Sequence, residues 1–276
     1  MRNLIKAEFY KLAKSPAYKW LLVTCLIFVF IFNRKEISDG MIYTGAEWLC
    51  MMLTRPQYII WFSVFAAFYV AGEFTNRTIT STILCGFSRG KVFWTKSAAF
   101  FAGILLIMLT YALTGTVFWS AQYGFGVKFS SSVLVIIGKV LIYCLHSLFV
   151  FGSSYLLCAV FTRNMVATIG FSLGITQILG IVGGNIEFMQ NPVIRKILGF
   201  IYRGTVFWQM SWDNRANPIW QLAELTEKNI VWQAGELSKS QPDIYIPIWL
   251  SVLTSLVVSA IMLAAAAHVF KKQDLK

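Results

Sequence analysis

His146 and Ser153 stand seven residues apart in one apolar run, inside Gly152-Ser153-Ser154 a hydroxyl that an imidazole could in principle activate. On a helix, that spacing puts both on one face but about 10 Å apart along the axis, too far to share a proton. The nearest approach to a phosphate-cradling loop is Gly86-Phe87-Ser88-Arg89-Gly90-Lys91-Val92. It has one residue too few between the glycines and no Ser or Thr after Lys91 to hold Mg²⁺. His146 and His268 are the only histidines, and neither His-Glu-x-x-His nor Gly-x-Ser-x-Gly occurs. Cys25, Cys50, Cys85, Cys144 and Cys158 form no C-x-x-C pair, which argues against a disulfide framework or a zinc site. Asn76-Arg77-Thr78 matches a glycosylation acceptor but falls in a segment expected on the cytoplasmic side. No catalytic residue, metal site or cofactor is therefore expected on this chain.

The remaining chemistry lies in polar groups set in apolar surroundings. Lys139, His146 and Ser153 recur every seven residues, and Thr168, Ser172 and Thr176 every four, with Gln177 beside them. Ionisable groups in membrane helices usually face a bundle interior or a wet cavity. His146, Ser153, Thr168, Ser172 and Thr176 are thus candidates to line a substrate path, with helix packing as the competing role. Lys139 is placed to snorkel to the outer surface. Gly170/Gly174 and Gly180/Gly184 are small-xxx-small pairs of the kind that let helices approach closely.

These groups need helices in a bilayer to position them. The chain is 57% hydrophobic and 13% charged, against roughly 25% charged in soluble domains. A soluble domain of 276 residues could not hide that much apolar surface, whereas lipid can receive it. Six runs approach the ~20 apolar residues that a membrane helix needs. They are Ala17–Phe32, Pro56–Gly72, Ser97–Trp119, Val133–Phe161, Met165–Ile186 and Ile244–Ala267. Only Thr162-Arg163-Asn164 separates the fourth from the fifth, so a tight hairpin is expected there. The expected fold is all-α and polytopic, one membrane domain over 1–276 with about six transmembrane helices.

The net charge of +12 reads as a topology signal rather than a nucleic-acid footprint, because the basic residues flank apolar runs. With the N-terminus inside, the inner segments hold 13 of the 24 basic residues against three acidic ones. The outer segments hold 11 basic against nine acidic residues. The positive-inside rule then puts the N-terminus, the loop after the second span and the C-terminus in the cytoplasm. Cys85 is expected to be cytoplasmic and Cys50 external. The N-terminus does not fit a cleavable secretory signal, being basic too far in and lacking a small-residue cleavage site.

Two further segments do not span. In residues 1–16, Leu4, Ile5, Phe9 and Leu12 share a face and Lys6, Tyr10, Lys11 and Lys14 lie mostly opposite, which predicts an inner interface helix ended by Pro16. The outer segment 187–243 is apolar and aromatic in its first half, interrupted by Arg195, Lys196 and Arg203, and carries Trp208, Trp212, Trp220 and Trp232. It is expected to form interfacial or re-entrant helices. Indoles favour the lipid–water boundary, where amphipathic peptides also reside, so Trp208 and Trp212 are candidates for contact with such a substrate. Sealing the outer mouth is the alternative.

Residues 73–96, EFTNRTITSTILCGFSRGKVFWTK, carry the most specific signal. Glu73 directly after the second span, then Thr78-Ile79, Leu84, Gly86, Ser88-Arg89 and Lys91, resembles the permeases of the ABC-two-type exporters. The branch it is most similar to includes bacitracin and lantibiotic export or immunity permeases and modulin-peptide exporters. The start Leu4-Ile5-Lys6-Ala7-Glu8-Phe9-Tyr10-Lys11-Leu12 and the ending Phe270-Lys271-Lys272-Gln273-Asp274 are similar too. The resemblance touches the whole length, in short degenerate motifs. Family members usually carry Gly before the Thr of the loop motif, where this chain has Arg77.

The resemblance implies a bacterial plasma membrane, ATP and Mg²⁺ on separate cytoplasmic ATPase subunits, and an assembly of two ATPases with two permease subunits, identical or homologous. The loop after the second span and the N-terminal helix would receive the motion. Glu73, Arg77, Thr78, Arg89, Lys91 and Lys96, with Glu8 and Lys11, are the expected coupling residues, offering charge-assisted contacts. The alternative is that the basic residues only hold the loop inside and bind lipid phosphate. An amphipathic or hydrophobic peptide is the expected cargo. The competing function is an ATP-independent secondary transporter or channel-like protein.

Overall fold

The computed structural model describes residues 2–38, 43–54, 59–128, 130–185 and 248–272. These are helical apart from short turns, with no strand among them. In chain order the helices are α1 (Arg2–Lys14), α2 (Pro16–Ser38), α3 (Gly45–Thr54), α4 (Ile59–Ala66), α5 (Gly72–Thr75), α6 (Thr78–Leu84), α7 (Arg89–Tyr123), α8 (Ser131–Thr162), α9 (Met165–Asn185) and α10 (Ile248–Lys272). A π-helical turn, Ala67–Ala71, joins α4 to α5.

By length and composition, three helical stretches can cross a membrane: Pro16–Lys35, Arg89–Tyr123 and Val252–Lys272. Counting Ile59–Thr75 with Thr78–Leu84, bent by 59° at the break, as one span makes four. Among the described residues α8 and α9 add only shorter apolar stretches, Val133–Ile142, Leu148–Thr162 and Met165–Ile178. The six spans expected from the sequence are therefore not reached on this test. α2 turns Ile27, Phe30 and Ile31 outward, as a lipid-facing helix does.

The boundaries follow local chemistry. Ser15 breaks α1 from α2, its hydroxyl accepting from the Tyr18 amide at 3.3 Å, and Pro16 opens α2, where its missing N–H costs nothing. The α8–α9 hairpin turns on Arg163 at φ 52°, ψ 16°, and Asn164 accepts from the Ala167 amide at 3.1 Å to cap α9. The short helix α3 had no counterpart in the sequence expectations. Glu47 accepts from the Thr44 amide at 2.9 Å and from its hydroxyl at 2.8 Å, while Thr44 accepts from the Glu47 amide, a reciprocal cap. α3 packs on α7 and buries Trp48, Cys50 and Met52.

The buried core between α2, α4 and α7 is strongly aromatic. Phe65 packs against Tyr18 of α2, Tyr69 of the π turn and Phe100 of α7, with centroids 5.1, 5.1 and 5.4 Å away. Such pairs contribute about 0.5–1.5 kcal/mol each beyond their burial. The Tyr18 hydroxyl donates to the Gly103 carbonyl at 2.9 Å. Gly103 has to be glycine here, since a Cβ would stand 2.5 Å from the Phe65 ring. By contrast, a Cβ at Gly170 or Gly174 would meet nothing within 4 Å. That pair is thus not a close helix contact among the described residues, and the surroundings of Gly180 and Gly184 lie outside the description.

Candidate functional site

Four charged side chains from three helices meet just beyond this aromatic column. α1 presents Leu4, Glu8 and Leu12 on its buried face, one turn apart. The sequence put Ile5 and Phe9 on that face, but Phe9 is exposed and Ile5 is half-buried. Glu8 takes the inner position because its charge is answered there. Its Oε2 accepts from the Tyr69 hydroxyl at 2.8 Å and from Lys96 Nζ at 3.2 Å. Lys96 also pairs with Glu73 Oε2, and Lys11 pairs with Glu73 Oε1. Lys96 thus bridges both carboxylates, and its ammonium lies 4.8 Å from the Tyr69 ring centroid.

The cluster holds two positive and two negative groups. Lys96 is the fixed member, its side chain 4% exposed, and Lys11 the accessible one at 42%. Burial alone raises the Glu8 pKa, but the Lys96 charge, the Tyr69 hydrogen bond and the Lys11 charge outweigh it, so the carboxyl titrates below its ordinary value. Glu8 is ionised at neutral pH. Removing one partner of a buried pair costs ~3–5 kcal/mol, because the remaining charge stays buried.

The π turn ends two residues before Glu73, and such turns recur at functional positions. Glu73 lies in the last turn of this helix rather than in a loop. Beyond it, Arg77 adopts φ 55°, ψ 17° and leads into α6. That left-handed conformation is the one glycine takes without strain and other residues rarely adopt. The Thr78 carbonyl accepts from the hydroxyls of Ser81 and Thr82 at 2.8 and 2.9 Å. α6 ends in an exposed tip, with Leu84 at 82% and Cys85 and Phe87 also exposed.

α7 starts at Arg89, so Lys91 and Lys96 are helical and the turn between helices is shorter than residues 73–96. Arg89 Nη1 donates to the Lys271 carbonyl of α10 at 2.8 Å, and Lys91 is exposed. Phe270 is buried between Phe74 and Phe93, with centroids 5.8 and 5.5 Å away. The Thr75 hydroxyl reaches the Arg163 carbonyl of the α8–α9 hairpin at 3.4 Å. The N-terminal helix, the 76–88 turn, the hairpin and the end of α10 are therefore all at one end of the molecule. α1, the start of α7 and the last described residues of α10, far apart in sequence, thus gather around Glu73 and Phe74.

The expected path residues lie on α8 and α9. Ser153, Thr168 and Ser172 are buried, and Thr176 is half-buried. Thr168 and Thr162 share a hydrogen bond at 2.7 Å, Thr176 and Tyr155 one at 2.6 Å, and Ser172 meets Ser63 of α4. Ser153 donates to the Val150 carbonyl at 3.0 Å. The α9 stripe thus hydrogen-bonds that helix to α8 and α4. His146 lies on α8, but its side chain is outside the described residues, as is the whole outer segment with Trp208 and Trp212.

Tyr69 was not among the sequence candidates. The available signal was its position four residues before Glu73 in an apolar run, where a hydroxyl needs a partner. Among the described residues no group of three His, Cys, Asp or Glu side chains is placed to hold a metal ion. Comparison of the chain with family models, with curated proteins and with solved structures finds no match.

Proposed function

We propose that this chain is the membrane-spanning permease subunit of an ATP-driven exporter, with ATP and Mg²⁺ bound by a separate cytoplasmic ATPase. In this proposal α2, α4 with α5, α7, α8, α9 and α10 are six spans, and the N-terminus, the 76–88 turn and the C-terminus are cytoplasmic. Two such subunits and two ATPases form the transporter in the plasma membrane. The cargo is a membrane-active, amphipathic peptide that enters laterally from the bilayer.

The observation that carries the proposal is the Glu8–Lys96–Glu73–Lys11 cluster beside an exposed tip. It ties the interface helix α1 and the root of the turn to α7, the longest helix described. A push or pull at Leu84 or Phe87 is then transmitted through α6 to a charged knot rather than absorbed by a loose loop. Arg89, bonded to α10, extends the same connection to the C-terminal helix.

The test is reconstitution of the chain with its ATPase in proteoliposomes. Glu73→Ala with Arg89→Glu is expected to abolish stimulation of ATP hydrolysis by an amphipathic peptide while leaving membrane insertion intact. Wild-type stimulation in the double variant would reduce this end of the molecule to a topological anchor.

A further inference from the structure

A cleft of about 320 Å³ opens beside the charged cluster, between the α1–α2 elbow and the α4–α6 bend. Its walls are graded. Lys11, Glu73 and Asn76 line one end, and Leu21, Phe65 and Phe68 the other. Phe65 is eight residues before Glu73 on one helical path, so the polar and apolar ends are about 12 Å apart. The cleft therefore fits an amphiphile, with its head beside the charged cluster and its tail along α2 and α4. At the lower limit of ordinary ligand cavities, it admits a headgroup and the first part of the chains rather than a whole lipid.

The charges select the headgroup. Lys11 has three donors, gives one bond to Glu73, and is 42% exposed on its side chain. Glu73 lines the cleft too, and a carboxylate accepts at about four lone-pair positions, of which Lys11 and Lys96 occupy two. A purely anionic head would meet Glu73, and a purely cationic one would meet Lys11. A zwitterion with a primary ammonium satisfies both.

We propose that the cleft binds one phospholipid of the ethanolamine class, its phosphate on Lys11 and the Asn76 amide and its ammonium on Glu73. Leu21 and Phe68 cover the upper acyl chains. The lipid thereby joins the same two residues that join α1 to the root of the turn, and its presence strengthens that link. The inference needs only a membrane setting and is independent of whether the chain exports anything.

The test is native mass spectrometry of the full chain released from nanodiscs of equal phosphatidylethanolamine, phosphatidylglycerol and phosphatidylcholine. One ethanolamine lipid per chain is expected, retained about tenfold over the other two, the scale of one charge-assisted contact. Ala17→Phe fills the cleft from an exposed position that makes no ion pair, and should abolish retention without lowering the melting temperature. Asn76→Leu, also at an exposed position, provides a second variant and should weaken retention. Glu73→Gln should shift preference toward phosphatidylglycerol. Equal retention of the three lipids, a preference for the glycerol or choline head in the wild type, or unchanged retention in both Ala17→Phe and Asn76→Leu overturns the proposal. None of these readouts involves ATP or transport, so failure here leaves the permease proposal standing, and the reverse.

Discussion

Lys96 Nζ stands 3.2 Å from Glu8 Oε2, although 88 positions separate the two residues. Neither helix has another reason to bring a charge inward. α1 would otherwise bury a wholly apolar face, and Lys96 sits within the apolar helix α7. Two unfavourable burials become tolerable only together, and only with Glu73 and Tyr69 completing the set. The pairing therefore specifies where α1 lies on the bundle more sharply than hydrophobic contact could.

Lys96→Met should cost ~3–5 kcal/mol of stability, since two carboxylates are then left with Lys11 as the cluster's only cation. Lys11→Met, at a half-exposed position, should cost at most ~1 kcal/mol. The check is thermal unfolding in detergent, with Lys96→Arg as the charge-preserving control. Equal losses for the two methionine variants would mean that the cluster has no fixed centre.

Acid should loosen α1 before it unfolds the bundle. The Glu8 pKa is lowered in the folded chain, so the folded state holds its proton less tightly than the unfolded state. Its contribution is fully present above the ordinary carboxyl value of 4.5 and is lost as pH falls through the lower folded value. Melting temperature measured from pH 7 to pH 3 should stay level in this respect down to the ordinary value, then fall. Glu8→Gln should start lower and lose that acid-dependent part. A wild-type profile that declines already between pH 7 and pH 6 through this residue would contradict the direction of the shift.

Thiol labelling should separate Cys85 from Cys50. Cys85 is exposed at the tip and should react with an impermeant maleimide in inverted vesicles but not in intact cells. Cys50 was expected on the external side, reachable there only if not buried, and it is 1% exposed on α3. Burial, aided by the Glu47 charge, pushes its thiol up to about 12. It should stay unlabelled from either side until the protein is denatured. Labelling of Cys85 from outside intact cells would reverse the proposed orientation.

Much of this architecture is legible in the sequence, and the reasons differ by element. α2, α7 and α10 are visible as long apolar runs, because a bilayer demands length and hydrophobicity and little else. The α8–α9 hairpin shows in the three polar residues Thr162-Arg163-Asn164. α3 was missed because its 10 residues are too short to read as a span, though Thr44 and Glu47 give the capping spacing openly. The charged cluster is not legible in one sequence, since Glu8 and Tyr69 are 61 positions apart and Lys96 and Glu8 88. Glu8 between Leu4 and Leu12 on one face, and the Tyr69 hydroxyl in an apolar run, are the anomalies that mark it beforehand. Serine and threonine in α9 were open to a path role or to packing, and only the partners Tyr155, Thr162 and Ser63 tell which bonds they make.

In the proposed exporter the exposed tip receives work from a separate ATPase. The most direct measurement is ATP hydrolysis by the complex purified from native membranes through a tag on this chain. Leu84→Asp with Phe87→Asp changes two exposed side chains and should leave the subunit folded and inserted. The wild-type chain should carry vanadate-sensitive ATPase activity through purification, and the double variant should carry about tenfold less or none, as expected when apolar anchors at a docking surface are made acidic. A wild-type chain that purifies with no ATPase activity, or a double variant that retains all of it, would contradict the account.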